Sequence, residues 1–199
     1  MGRIVLGVGG APILFNPAGI REAMPLRTVR KKLSDPRVRR SVFRVLEQNG
    51  LCSIATVTPE GRAHINTAYF VYPKDLDLYF FSYPTSLHCR NLTTNPSMAM
   101  TIFRSDQPWG TPGHGIQLFG LAREVRGADA ANAERVYARR FPRYATWMRG
   151  RTEDHRRMAV EMRALRFYRF RPTRVKLLDE RVYGGAVFVV AGVQKRRSD

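Results

Sequence analysis

The sequence predicts a mainly β domain with flanking helices, a small closed or split β-barrel of about six antiparallel strands. Three observations carry that expectation. From Leu51 onward, segments rich in β-branched and aromatic residues are separated by short stretches of turn chemistry. Several of those segments are apolar on both faces, which an open sheet with one wet face does not explain. A hydrophobic fraction of 44% in 199 residues is enough for one core without staples.

Residues 1–33 read as an N-terminal extension, 34–182 as the barrel domain and 183–199 as a C-terminal tail. For residues 1–23, ahead of Met24, two readings stay open, a disordered tail or translation starting at Met24. The apolar run Ile4–Phe15 is interrupted by glycines and a proline and has no A-x-A cleavage signature, so neither a membrane span nor a signal peptide is expected. The cluster Gly7-Val8-Gly9-Gly10 lacks the full dinucleotide-loop spacing. A helix is expected over about 36–48, with Asp35 as N-cap, Pro36 at its first position and Asn49-Gly50 as its stop.

Strands follow at 51–57, 63–72 and 76–82, joined by the turns Pro59-Glu60-Gly61 and Pro73-Lys74-Asp75. A short helix is expected at 85–94 before Asn95-Pro96, then strands at 98–103 and 115–125. The loop 104–114 between them carries Trp109, two glycines and two prolines, and reads as a lid. Helices at about 130–141, stopped by Pro142, and 153–164 lead to a long last strand from Phe167 to Leu178. The apolar segment Ala186–Val193 would be an exposed strand unless a second subunit pairs with it.

The chain carries a net charge of +18, which raises nucleic acid as a partner. The charge is uneven: +7 over residues 1–50, zero over 51–119 and +11 over 120–199. Only five of the 34 basic residues are lysines, and an arginine bias of that kind also follows from a GC-rich genome. The two cysteines, Cys52 and Cys89, form no CxxC or Cys/His metal spacing, so no metal site is expected and a reducing, cytoplasmic setting fits. His64, His88, His114 and His155 are scattered, and no nucleophile elbow, zincin motif or P-loop is present. No catalytic residue is assigned. One stretch concentrates ligand chemistry: Phe81 to Asn91 ends a strand, turns, and brings Ser82, Ser86, His88 and Arg90 to the start of a helix, where free N–H groups favour phosphate. Thr85 or Ser86 acting only as an N-cap is the competing reading.

The runs Leu51–Val57, His64–Phe70 and Asp77–Ser82, with Ser86 and Asn95-Pro96, resemble the pyridoxamine 5′-phosphate oxidase-like FMN-binding split-barrel family over about residues 40–180. In that family's oxidases a Ser-Arg-Lys motif with a downstream Asn-Pro holds the FMN phosphate. Here Ser86 matches the serine and Asn95-Pro96 the Asn-Pro, while Leu87 replaces the arginine and His88 the lysine. Asn66 stands near the place of a phosphate-binding arginine, and Arg90 is the candidate to compensate. The resemblance implies a homodimer with cofactor sites at the subunit interface. Ser82, Ser86, His88 and Arg90 would then hold the phosphate, Asn66, Thr67 and Ala68 would meet the ring edge through backbone N–H groups, and Trp109 would cover ring or substrate. The implied cofactor is FMN, with the deazaflavin F420 as alternative, and the implied activity is an oxidoreductase on a small molecule, distinct from a true pyridoxamine-phosphate oxidase. The rival expectation is a cofactor-free barrel that uses its basic flanks on nucleic acid or another polyanion.

Overall fold

The computed structural model describes residues 25–73 and 75–193. Its elements run β1 (Arg27–Lys32), α1 (Pro36–Gln48), β2 (Leu51–Val57), β3 (Ala63–Val71), β4 (Leu78–Ser82), α2 (Leu87–Thr94), β5 (Ser97–Phe103) and β6 (His114–Glu124). Then follow α3 (Gly127–Arg140), α4 (Pro142–Arg149), α5 (Glu153–Ala164), β7 (Arg166–Asp179), α6 (Glu180–Tyr183) and β8 (Val187–Gly192). Strands β7-β4-β3-β2-β5-β6 pair antiparallel in that order, and β6 returns to β7 to close a six-stranded barrel. The expected fold class is the observed one.

The barrel is split along β7. Its first half, Arg166–Phe170, pairs with β4, whereas Arg174–Leu178 pairs with β8 on that side. Between the two halves sits Pro172, which has no N–H to give a ladder, opposite Gly120 at an irregularity in the β6–β7 register. A Cβ on Gly120 would stand 2.0 Å from the Arg171 carbonyl oxygen, so only glycine allows the strands to approach here.

Two apolar clusters explain why so many segments are apolar on both faces. Inside the barrel, Ile54, Phe70, Leu78, Phe80, Met100, Ile102, Leu118, Phe170 and Leu177 pack on one another. The apolar stripe of α1, Val38, Val42, Val45 and Leu46, joins them. The helix starts as its sequence dictates, because Asp35 Oδ1 accepts from the backbone N–H groups of Arg37 and Val38 at 2.8 and 3.4 Å. On the other face of β4, Tyr79 and Phe81 pack with Tyr137, Tyr144 and Phe167 under α3 and α4. The alternation along β4 therefore feeds both clusters.

Residues 1–33 are not wholly an extension: Arg27–Lys32 form β1, paired parallel with β8. The C-terminal apolar strand, which the sequence left exposed unless a second subunit paired with it, has both edges paired within its own chain, with β7 on one side and β1 on the other. The helix expected to stop at Pro142 does so, α3 ending at Arg140, and Pro142 then opens α4 at its first turn, where a missing N–H costs nothing. The expectations for residues 1–24, the Gly7–Gly10 cluster included, and for 194–199 lie outside the described residues.

Candidate functional site

Strand β4 ends at Ser82 and the chain turns through Tyr83–Thr85 into α2, which sets Ser82, Ser86 and His88 side by side. Ser82 Oγ lies 2.7 Å and Ser86 Oγ 3.2 Å from His88 Nε2, and the two hydroxyls are 3.4 Å apart. Ser86 occupies the N-cap position of α2, yet its side chain makes no capping bond. Its hydroxyl donates instead to the Tyr83 carbonyl at 2.7 Å. Asp35 and Thr152 do cap α1 and α5. Ser86 is thus the N-cap by position but does not cap with its side chain, and its oxygen leaves the first N–H groups of α2 to another acceptor.

The Ser86 proton is committed to the Tyr83 carbonyl, so Ser86 Oγ faces the cluster as an acceptor. Ser82 Oγ and His88 Nε2, 2.7 Å apart, share one hydrogen bond whose direction follows the imidazole tautomer. His88 is only 5% exposed, and burial pushes its pKa below the usual imidazole value, with the charge of His64 adding to the effect.

Across from this cluster runs the open edge of β3. That strand pairs with β4 only through Phe70 and Val71, so the stretch His64–Ala68 has no strand on that side among the described residues. Asn66 and Ala68 share the inward row with His64, opposite Ile54, Cys52 and Thr56 of β2, and Thr67 faces outward. Asn66 Nδ2 donates to the Thr67 carbonyl at 3.0 Å, which marks the Asn66 side chain as a neighbour of the backbone and not a free ligand arm. The His64 ring lies parallel to that of His88, with centroids 6.3 Å apart and planes at 4°. Sequence reasoning missed His64. The signal present was its two-residue offset from Asn66 on one strand face, but its approach to His88 arises only from the packing of α2 over β2, where Thr56 pairs with His64 and meets Asn91.

Two predicted site residues stay apart from the cluster. Arg90 is exposed, and two residues past His88 it sits about 200° around the helix, facing away. Trp109 is fully exposed in the loop after β5. That loop hangs at the Leu51 end of β2, since Thr101 pairs with Ser53, whereas His64 pairs with Thr56 at the other end. Within one chain Trp109 does not cover the Ser82–Ser86–His88 cluster. A cavity of about 580 Å³ opens at the Trp109 end, lined by residues such as Leu51, Tyr69, Phe103 and Arg104. It contains none of the predicted site residues.

Asn95 and Pro96 have a structural part. Asn95 Oδ1 accepts from the Ser97 N–H at 3.0 Å and the Pro96 carbonyl accepts from Ala122 N–H at 2.8 Å, so the dipeptide turns α2 into β5 and holds the helix at its distance from the barrel. Buried Asn91 fixes the same helix to β2 by donating to Thr56 Oγ1 at 3.0 Å.

Residues 39–178 match the sequence model of pyridoxamine 5′-phosphate oxidase. The chain belongs to that family. Solved structures with the same fold include a heme binding protein from Mycobacterium smegmatis (TM-score 0.56, 17% identity, 75% of this chain and 55% of that one). A conserved hypothetical protein from Mycobacterium tuberculosis is similar as well (0.55, 18%, 85% and 96%). So is a putative pyridoxamine 5′-phosphate oxidase from Listeria innocua (0.52, 18%, 68% and 94%). No curated protein matches the chain. Among the described residues no group of three or more His, Cys, Asp or Glu is placed to hold a metal, and no helix is long and apolar enough to cross a membrane.

The residues present fit a phosphorylated ring cofactor of the kind the family resemblance implies. The hydroxyl and helix N–H donors at the β4–α2 turn match a phosphate, and the unpaired β3 edge offers backbone groups to the polar rim of a ring. Both cysteines are buried, and burial raises the Cys52 thiol to about 12, so neither serves as a nucleophile there.

Proposed function

We propose that this protein binds FMN between the β4–α2 turn and the open edge of β3 and acts as an oxidoreductase on a small molecule. The observation that carries the reading is the uncapped N-terminus of α2 beside the Ser82–Ser86–His88 cluster. Ser82 and Ser86 would hold the phosphate, His88 would hold the serines in place, and backbone groups of Asn66–Ala68 would orient the ring. The flavin supplies the hydride chemistry when bound, so the protein needs position and electrostatics and no nucleophile of its own. Leu87 and His88, where the family's oxidases carry arginine and lysine, make this a site with less fixed positive charge. That difference argues against pyridoxamine phosphate as substrate.

A second copy of the chain is part of the proposal. The outer face of β2, β3, β5 and β6 exposes Leu51, Ile65, Tyr69, Phe103 and Leu121, a set that a soluble monomer does not usually leave uncovered. The test is titration of the purified protein with FMN, F420 and heme in turn, followed by absorbance and fluorescence. Saturable FMN binding that falls at least tenfold in Ser82→Ala/Ser86→Ala supports the site. Preference for F420 or a heme Soret band with no FMN binding replaces the cofactor.

A second reading has its own observation. Residues 27–44, which form β1 and α1, carry eight basic residues and one acidic one, most of them exposed. Polyanion binding on that surface would weaken steeply with added salt, and a salt-insensitive or absent interaction with single- or double-stranded DNA and RNA overturns it.

A further inference from the structure

The family-type phosphate site relies on fixed cations, whereas this cleft offers two imidazoles. His88 backs the serine hydroxyls through Nε2, and the His64 ring lies parallel to it with a centroid separation of 6.3 Å. They come from different elements, α2 and β3, on the two sides of the proposed cleft. The groups facing them are Phe80 and Ser82 of β4, Ser86 at the start of α2, and Thr56 of β2 across from His64. None of these carries a charge. Cys89 is buried beside His88 on α2, Arg90 faces away, and Glu60 and Arg62 are exposed in the β2–β3 turn. No carboxylate contributes to the electrostatics at His88.

Burial, and then the charge of the neighbouring His64, disfavours imidazolium at His88 when no anion is present. A doubly charged phosphate monoester on Ser82 and Ser86 reverses that balance. It sits against the hydroxyl that His88 Nε2 supports, and its charge stabilises imidazolium at both positions. We propose that His64 and His88 form a proton-loaded anion clamp, in which docking of a phosphate monoester is coupled to proton uptake by the imidazole pair. His64 is thereby assigned to the site, and His88 becomes a positioning residue whose charge follows occupancy. The cell's pH then regulates cofactor loading at this site, which a fixed arginine or lysine does not permit. The inference rests on the phosphate reading of the cleft.

The test compares FMN affinity at pH 7.0 and 8.5, a window in which the phosphate, with a second pKa near 6, stays dianionic while imidazolium is lost. The wild type is expected to weaken about tenfold across it, and His64→Asn to weaken less than about threefold. Calorimetry in buffers of different ionisation enthalpy should show net proton uptake for the wild type and a smaller uptake for His64→Asn. Affinity that is flat with pH, with no proton uptake, overturns the clamp and leaves the flavin site standing. Inorganic phosphate is the flavin-free probe, read from the Cε1–H resonances of both histidines by NMR in the wild type. If it raises both imidazole titrations while FMN fails to bind, the clamp holds and the flavin reading falls. If neither ligand moves them, both fall.

Discussion

At the residue scale, one buried polar contact ties α2 to the barrel. Asn91 donates to Thr56 Oγ1 with both side chains about 1% exposed. Asn91→Ala leaves the threonine hydroxyl without that donor and should destabilise the protein by about 1–3 kcal/mol. Thr56→Val alone strands the Asn91 amide and should cost a similar amount. The pair Thr56→Val/Asn91→Leu removes both polar partners and should recover a large part of the loss, which urea denaturation of all three variants measures. Additive losses would mean that the contact contributes nothing specific. The same scale shows what the sequence could and could not reveal. Ser82, Ser86 and His88 lie within seven residues of one another, and a strand end followed by a helix start brings them together by local geometry alone. His64 is 24 positions upstream of His88 and reaches it through the β2–β3 pairing and the docking of α2 on β2, a tertiary relation that no local pattern encodes. Arg90 was legible as a charge near the site but not as one on the far side of its helix, because the register of an eight-residue helix follows from which face is buried.

At the element scale, most strands were legible because period-two alternation and turn residues coincide in β2, β3, β4 and β5. Strand β1 was not, since Arg27–Lys32 is almost wholly exposed and polar, and it exists because β8 gives it a ladder. Its function is to cover an edge: Val187, Val189 and Ala191 of β8 are buried. Deleting residues 1–33 should therefore remove several backbone hydrogen bonds at about 1 kcal/mol each. The loss should appear as a fall in Tm of about 5–10 °C for a chain of this size, with faster aggregation through the exposed β8 edge. FMN affinity should stay within about twofold, because β8 and β7 separate β1 from the β3–β4 cleft. An unchanged Tm would mean that the β1–β8 ladder is dispensable, and a lost FMN site would place the cleft elsewhere.

For the whole molecule, the buried His88, the half-buried His114 and one uncovered face make separate demands. Burial lowers the pKa of both His88 and His114 below the usual imidazole value of 6.5. Asp179, 3.5 Å from His114 Nε2, pulls the other way without prevailing. Below pH 6.5 the unfolded chain then binds more protons than the folded one, so stability is full above that pH and declines as pH falls through the lowered values. Thermal melts without ligand should show a lower Tm at pH 5.5 than at pH 7.5, and a Tm independent of pH in that range would contradict the desolvation of both imidazoles. The uncovered face concerns assembly. Ile65 is 70% and Tyr69 55% exposed on β3, and their side chains point opposite to His64 and Ala68 on the same strand. A charge at Ile65 therefore touches the outer face without entering the row that lines the cleft. If a second copy covers that face, Ile65→Glu should convert a dimer to a monomer by light scattering while circular dichroism stays unchanged. If the partner also completes the cofactor site, FMN affinity should drop at least tenfold in the monomeric variant, although Ser82, Ser86, His64 and His88 are untouched. A wild type that is already monomeric sinks the dimer. A monomeric variant with full FMN affinity shows instead that one chain holds the cofactor alone, since the open edge of β3 and the hydroxyl cluster would then need no partner.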